Sequence, residues 1–269
     1  MELVDTHCHI QSIGSAKEGD HTKELWAKYR SSATEVIAAA NNAGVVKLVC
    51  VGCDLDDSKL AVNFVTGRDN CYASVGVHPH EAKRYIGSDL KAELLSLVNE
   101  KKVVAIGECG LDYFYQHSDP DDQSDILRLQ LDIAVQTNLP VIFHVRNAFT
   151  DFWPIFDSYN RKIRGVLHSF TDSIDTLHMA IDKGLYIGVN GIATFANDPN
   201  QLKMYRSIPS ERLLFETDSP YLTPNPYRGT INEPKQIRTV AEFLSGLRGE
   251  GLTQLAKITT ANAHLLFGI

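Results

Sequence analysis

Short runs of apolar and often β-branched residues recur along the chain, separated by longer mixed segments. Two examples are the run VVKLV at 45–49 and the run VVAI at 103–106. Because these runs are brief and largely apolar, they predict strands that are buried on both faces. We expect eight such strands, over residues 2–6, 45–51, 71–77, 103–107, 140–145, 163–167, 184–189 and 212–216.

Helical patterns lie between most of these strands. In residues 89–100, for example, Leu90, Leu94 and Leu97 share one face. The Ala-rich stretch 31–43 ends before Gly44, which suits the C-terminal cap of a helix. We predict helices over residues 31–43, 89–100, 121–138, 172–183, 233–247 and 251–266.

The alternation of strand and helix predicts repeated β–α units with parallel strands. Eight such units close more naturally into a barrel than into an open sheet, and 269 residues suit a barrel of about 250. No Gly-x-Gly-x-x-Gly follows the first strand, which argues against a dinucleotide-binding fold. We therefore predict an α/β protein with a single (β/α)8 TIM barrel domain over residues 1–269.

Composition narrows the functional class. Hydrophobic residues make up 43% of the chain and charged residues 22%, which is typical of globular proteins and excludes disorder. No apolar run approaches the roughly 20 residues of a membrane span. The N-terminus also lacks the basic and apolar regions of a signal peptide. We therefore expect a cytoplasmic protein without membrane contact. The sequence leaves the oligomeric state open, and we favour a monomer.

The net charge bears on nucleic-acid binding, and the cysteine content bears on the redox state of the thiols. The net charge of −7 argues against a broad, sequence-independent grip on nucleic acid, but it permits a few local phosphate contacts. Five cysteines without a secretory signal predict reduced thiols. Cys50 and Cys53 form a C-x-x-C, yet no second pair completes a zinc site, so we interpret them as structural.

Side chains that can bind a metal fall at the ends of five predicted strands. The first strand is followed by H-x-H, and alternation along a strand places both histidines on one face. Because the carboxyl ends of parallel strands meet at the mouth of a barrel, all these donors should converge there. Four imidazoles and two carboxylates suffice for one or two divalent ions, with Glu108 able to bridge them. The predicted ligands are His7, His9, Glu108, His144, His168 and Asp218.

Six short motifs follow one another along nearly the whole chain. They are DTHCH at 5–9, GVHPH at 76–80, GECGLD at 107–112, HVR at 144–146, HSFT at 168–171 and ETDSPYL at 216–222. Together they resemble the TatD family of metal-dependent deoxyribonucleases, which belongs to the amidohydrolase-like barrels. The resemblance implies a (β/α)8 barrel, a divalent-metal site at its mouth and hydrolysis of DNA, commonly from 3′ ends. It assigns metal binding to the same six residues.

Three positions depart from the pattern of that family. Ile10 and Gln11 follow the H-x-H where a small polar or acidic residue is usual, and a long segment up to residue 30 comes after them. Asp172 stands where glycine is usual, and Thr230 stands where lysine is usual. None of these is a predicted ligand, so the departures bear on substrate preference and not on metal binding.

Several other residues near the mouth are candidates for substrate contact. We predict that His78, Arg146 and Arg228 bind the phosphate, since a guanidinium can clamp it with two hydrogen bonds. His78 and its neighbour His80 could instead be turn histidines fixed by packing, with both interpretations open for His80. Arg146 could instead form an ion pair with a neighbouring carboxylate. The aromatic run 113–115 could stack a base or simply cover the end of the barrel.

The residues predict metal-assisted hydrolysis. Ions at the mouth would lower the pKa of a bound water and polarise a phosphoryl oxygen. We predict Asp218 and Glu108 as catalytic residues, with Asp218 a ligand that also takes a proton as general base. Four imidazoles favour Zn²⁺ or Mn²⁺ by ligand type, whereas the resemblance implies Mg²⁺ for activity. Glu216 could add negative charge or orient a ligand histidine.

Two rival functions remain open. One is an amidohydrolase-like enzyme acting on a small ester, lactone, amide or phosphoester. Many such barrels bridge their metals with a carboxylated lysine at the end of the fourth strand, where this chain has Glu108. The other is a barrel that serves only as a binding partner, for which loss of ligands would be expected. The predicted substrate is DNA with single-stranded 3′ ends, and the choice between DNA and RNA stays open.

Overall fold

The structure is a computed structural model that describes residues 1–15, 20–29, 31–115, 117–160 and 162–269. Part of the irregular segment after the H-x-H, residues 16–19 and 30, therefore lies outside the described residues. Among the described residues, no helix is both long and apolar enough to cross a membrane.

Eight strands form one sheet in the order of the sequence, and each pairs in parallel with the next. This confirms the eight predicted strands. The fourth strand extends five residues further than predicted, which places Glu108 within it. The strands are β1 (Leu3–Cys8), β2 (Val45–Val51), β3 (Cys71–Val75), β4 (Val103–Asp112), β5 (Val141–Arg146), β6 (Gly165–Leu167), β7 (Tyr186–Val189) and β8 (Leu213–Phe215).

The last strand returns to the first at their carboxyl ends. Cys8 forms a parallel bridge with Ser219. The backbone N–H of Asp218 donates to the carbonyl of His7, and that of His9 donates to the carbonyl of Ser219, both at 2.8 Å. These bonds join the eight parallel strands into the predicted (β/α)8 barrel. They also tie the two outermost predicted metal-binding segments together at the mouth.

Helices surround the sheet. The described helices are α1 (His21–Ala27), α2 (Ala33–Asn42), α3 (Leu55–Val65), α4 (Leu90–Leu97), α5 (Pro120–Thr137), α6 (Phe149–Asp157), α7 (Ile174–Asp182), α8 (Pro199–Ser207), α9 (Ile237–Arg248) and α10 (Leu252–Phe267). Short 3-10 turns occupy Ile10–Ser12, Pro79–Tyr85, Gly191–Phe195, Ser210–Arg212 and Pro234–Gln236. All six predicted helices are present, whereas α1, α3, α6 and α8 were not predicted. In α6, aromatic residues and Pro154 give a weak helical signal, and burial of Phe152 and Phe156 against the core stabilises the helix.

One end of the barrel is closed and the other carries polar groups. Thr260 and Asn262 of α10 donate to the carbonyls of Glu2 and Leu213, at the amino-terminal ends of β1 and β8. The end of α10, including Phe267, packs with strand residues in a buried apolar cluster. Since α10 covers the amino-terminal end, only the carboxyl ends of the strands are left to build a site.

Candidate metal centre

The six predicted ligands meet at the mouth of the barrel. On one side, Asp218 lies between the two histidines of the H-x-H. Its Oδ1 is 3.2 Å from Nε2 of His9 and 3.6 Å from Nε2 of His7. The Nδ1 of His9 donates to the carbonyl of Val51 at 2.9 Å, which directs Nε2 towards the carboxylates. This half of the site therefore offers two imidazoles and one carboxylate to an ion.

Glu108 occupies the middle of the cluster. Its Oε2 lies 3.5 Å from Nε2 of His7, and its Oε1 lies 3.7 Å from Nε2 of His168. Oε1 also accepts a hydrogen bond from Nδ1 of His144 at 2.8 Å. One carboxylate thus faces histidines from β1, β5 and the end of β6. This is the position a bridging ligand would need.

Two glycines set the direction of Glu108. Gly107 has φ +129°, and a Cβ there would lie 2.5 Å from the carbonyl oxygen of Ile142. Gly110 has φ +155°, and a Cβ there would overlap the carbonyl oxygen of His144. Pairing between β4 and β5 is irregular across this segment. Only glycine fits at both positions, because any side chain would clash with the backbone of β5. The G-E-C-G motif therefore has a steric cause.

The backbone of Asp218 is also unusual. It has φ +58°, a left-handed conformation that costs a residue other than glycine about 1–3 kcal/mol. The hydrogen bond from its N–H to His7 holds it in place, as does the bond that its carbonyl accepts from the N–H of Tyr221. Strain of this kind is found where a fold fixes a functional side chain.

His7 provides the test of whether these residues fit a metal. Its side chain is fully buried, and neither ring nitrogen has a hydrogen-bond partner among the described residues. An unpaired buried nitrogen is costly, and an ion between Nε2 and the two carboxylates would satisfy it. Among the described residues, four sets of potential ligand atoms lie within 4.8 Å of one another: His7, His9 and Asp218; His7, Glu108 and His168; His78, Glu108 and His144; and, with a cysteine, His9, Cys53 and Asp57. The donors therefore fit one or two divalent ions.

The imidazoles and carboxylates of the cluster shift one another's pKa values. Burial alone would raise the pKa of Glu108, but the surrounding imidazoles outweigh it and hold that pKa well below its usual range. Burial would lower the pKa of His144, but its hydrogen bonds to Asp112 and Glu108 raise it to about 9. For His168, the nearby carboxylates likewise overcome burial and raise the pKa to about 10. An ion that takes the place of these protons would release them as it binds, so metal binding should depend on pH.

Three further buried carboxylates support the ligands. Oδ2 of Asp112 accepts hydrogen bonds from Nε2 of His144 at 2.9 Å and from Nε2 of His80 at 3.0 Å. Oε1 of Glu216 lies 2.9 Å from Nδ1 of His168, which agrees with the orienting role considered for it. Asp5 accepts from both the N–H and the hydroxyl of Thr217.

The sequence interpretation missed the roles of Asp5 and Asp112. A signal was present for Asp5, which lies two residues before His7 and so on the same face of β1. The roles of Asp112 and His80 depend on contacts between separate strands and loops, which no local spacing shows.

The predicted substrate contacts fall into two groups. His78 lies inside the cluster, with Nε2 3.9 Å from Oε1 of Glu108, and burial together with His144 lowers its pKa well below the usual value. Arg146 and Arg228 lie on the exposed rim. The guanidinium of Arg146 is 3.8 Å from the centre of the Phe114 ring, and that of Arg228 is 5.2 Å from the ring of Phe195. Neither arginine has an ion pair among the described residues, so both guanidiniums keep their donors for a ligand.

Cysteines border the site without completing it. Cys50 is buried in β2, while Sγ of Cys53 lies 3.9 Å from Nδ1 of His9 and 4.0 Å from Oε2 of Glu108. Burial raises the pKa of Cys53 to about 12, so it stays a neutral thiol. A thiol is a poor ligand compared with a thiolate, which agrees with the structural interpretation of the C-x-x-C.

Comparison with known proteins places this geometry among metal-dependent hydrolases. A family model described as TatD related DNase matches residues 4–268. A Bacillus subtilis protein described as an uncharacterized metal-dependent hydrolase, YabD, is 35% identical over 99% of this chain and 99% of its own. The 3′-5′ ssDNA/RNA exonuclease TatD of Salmonella typhimurium is 34% identical over 92% of this chain and 96% of its own. The crystal structure of YJJV, a TatD homologue from Escherichia coli K12, has a TM-score of 0.85 and 26% identity, covering 99% of this chain and 98% of that one.

Proposed function

This chain belongs to the TatD-related DNase family of metal-dependent hydrolases, and we propose that it is a 3′→5′ exonuclease of single-stranded DNA. The observation that carries the proposal is the largely buried six-donor cluster, in which Glu108 faces three predicted histidine ligands as well as His78, and His7 has no hydrogen-bond partner among the described residues. The name of the Salmonella relative supports a nucleic acid substrate with a free 3′ end. We further propose that residues 1–269 act as one domain and as a monomer.

Divalent ions held by the cluster would activate a water and polarise the phosphoryl oxygen of the substrate. We assign the proton of that water to Asp218, whose Oδ2 lies 3.9 Å from His168 and makes no shorter contact with a histidine. Asp112 and Glu216 hold His144 and His168 in orientation. The four imidazoles favour Zn²⁺ or Mn²⁺ for tight binding, and we propose Mg²⁺ as the ion that supports turnover.

The rim of the barrel supplies the groups for the DNA backbone. Arg146 and Arg228 are exposed and stack on aromatic rings, which fixes each guanidinium while leaving its N–H groups free. A chain of net charge −7 would repel a polyanion over most of its surface. We therefore propose that binding is confined to the few phosphates nearest the metal centre. The five cysteines are all free thiols, which supports a reducing compartment such as the cytoplasm.

The proposal is tested by digestion of a 3′-labelled single-stranded oligonucleotide with added Mg²⁺, Mn²⁺ or chelator. We expect metal-dependent release of the labelled nucleotide by the wild type and none by His144→Ala. The matched control is His178→Ala, an exposed histidine on α7, which should cleave like the wild type. A protein that binds metal but cleaves no DNA with any ion would overturn the nuclease assignment and favour a small ester, lactone, amide or phosphoester.

A further inference from the structure

A cleft of about 280 Å³ opens beside the metal centre, between the carboxyl ends of β5 and β6. His168, a predicted metal ligand, forms part of its wall. A group bonded to a phosphate at the centre could therefore extend directly into the cleft. No residue of the metal cluster other than His168 lines it, so the cleft is separate from the ion positions.

Three phenylalanines form the aromatic part of the cleft lining, which is otherwise largely polar. Phe149 and Phe170 meet with their ring centres 6.2 Å apart at 63°, and Phe149 stacks on Trp153 at 5.4 Å. Phe114, with Arg146 stacked on it, closes the side nearest β4. Because these rings already pack against neighbouring side chains, they lose little conformational freedom when a ligand binds against them. A flat ring system with apolar faces would fit this space.

The outer edge of the cleft is polar. Asp172 is fixed there, because its Oδ1 accepts hydrogen bonds from the N–H of Ser173 at 2.7 Å and from the hydroxyl of Thr176 at 2.5 Å. Its Oδ2 has no hydrogen-bond partner among the described residues. A carboxylate at this edge would repel a phosphate and accept hydrogen bonds from amino groups. The aromatic rings and the Asp172 carboxylate thus suit a nucleobase, while Arg146, which also lines the cleft, can contact the phosphate of the same nucleotide.

We propose that this cleft binds the base of the 3′-terminal nucleotide, and that Asp172 makes it prefer bases with an exocyclic amino group. Adenine, cytosine and guanine carry such a group, whereas thymine has no amino group and offers a single ring N–H between two carbonyl oxygens. The assignment rests on the proposed nuclease function. It adds a binding site for the leaving nucleotide and the residue that determines its specificity.

The test compares kcat/KM for five oligonucleotides that differ only in their 3′-terminal residue: dA, dC, dG, dT or an abasic sugar. For the wild type we expect the abasic substrate to be cleaved at least about tenfold less efficiently, as for loss of one stacked base. We also expect dT to rank below the other three bases. Thr171 also lines the cleft, and Thr171→Trp should fill it and reduce the rates for all four bases to that of the abasic substrate.

Asp172→Asn gives the sharpest outcome. The N–H of Ser173 can only donate, so it should hold the amide oxygen of the new side chain and leave the amide N–H₂ at the free position. A donor there can pair with acceptors of all four bases, so the preference for bases with an amino group should be lost and dT should no longer rank below the others. Leu265→Ala, at a 73% exposed leucine on α10, is the control for a surface change and should keep the wild-type ranking.

The possible failures are distinguishable. Metal-dependent cleavage with equal kcat/KM for all five substrates would overturn the cleft assignment and leave the nuclease proposal intact. A dependence on the penultimate base and not on the terminal one would also overturn it. Absence of metal-dependent cleavage of every substrate would overturn the nuclease proposal itself, and the cleft assignment with it.

Discussion

Replacing Asp112 with asparagine should weaken metal binding without touching a ligand. Asp112 is buried, and its carboxylate is the acceptor in four hydrogen bonds. Oδ1 accepts from the backbone N–H groups of Phe114 and Tyr115, and Oδ2 accepts from His144 and His80. An asparagine has one acceptor oxygen and one donor nitrogen, so one of these pairs would face an N–H₂ group.

The substitution should change which ring nitrogen of His144 carries the proton. With an ion bound beside Glu108, Nδ1 of His144 would give up the proton that it otherwise donates to Glu108, and the neutral ring would keep its other proton on Nε2, which donates to Asp112. If the asparagine oxygen stays with the two backbone donors, its N–H₂ meets Nε2 of His144, which must then accept. The ring proton moves to Nδ1, the atom that faces the metal position. Loss of an orienting carboxylate of this kind costs roughly 10- to 100-fold in metal affinity or activity.

The measurement is metal affinity by competition with a chromophoric chelator, followed by turnover at saturating metal. We expect affinity to fall roughly 10- to 100-fold, with turnover partly restored by added ion. The mismatch should also cost about 1–3 kcal/mol of stability. The matched control is Asp151→Asn, at an exposed carboxylate that accepts from the hydroxyl of Tyr113. Equal affinities for Asp112→Asn and the wild type would refute the tautomer argument.

Three other substitutions test separate parts of the structure. Glu108→Gln removes the carboxylate that faces four histidines and should reduce the number of ions bound per chain, measured by elemental analysis. Glu93→Gln, at an exposed ion pair with Lys59, should bind as many ions as the wild type does. In Gly110→Ala, the new Cβ would clash with the carbonyl of His144 and should destabilise the fold by more than about 1 kcal/mol in thermal unfolding. In the control Gly251→Ala, the new Cβ meets open space. An equal loss of stability in both variants would contradict the steric argument. Arg146→Ala should raise KM for DNA and reduce by about one the slope of log affinity against log salt concentration. Arg238→Ala, exposed on α9, should change neither quantity. An unchanged salt slope for Arg146→Ala would exclude Arg146 as a phosphate contact.

The sequence by itself determined the barrel and the composition of its centre. Strands buried on both faces must be short and apolar, so their positions were visible without any knowledge of packing. Parallel strands in repeated β–α units share one direction, so polar residues at their carboxyl ends had to meet at one mouth. That reasoning brought His7, Glu108 and Asp218 together before any distance was known.

The tertiary structure decided how those residues are held. The bond from His144 to Asp112 and the contact of Glu216 with His168 join different strands or loops, and no periodicity along one segment specifies them. The need for glycine at position 110 comes from the backbone of β5, a neighbour in space but not in sequence. The hydrophobic pattern of a strand or helix repeats with the period of that element, so it can be recognised within one segment of the chain. Orientation of a ligand, and the cleft beside it, depend on contacts that exist only after the barrel has closed.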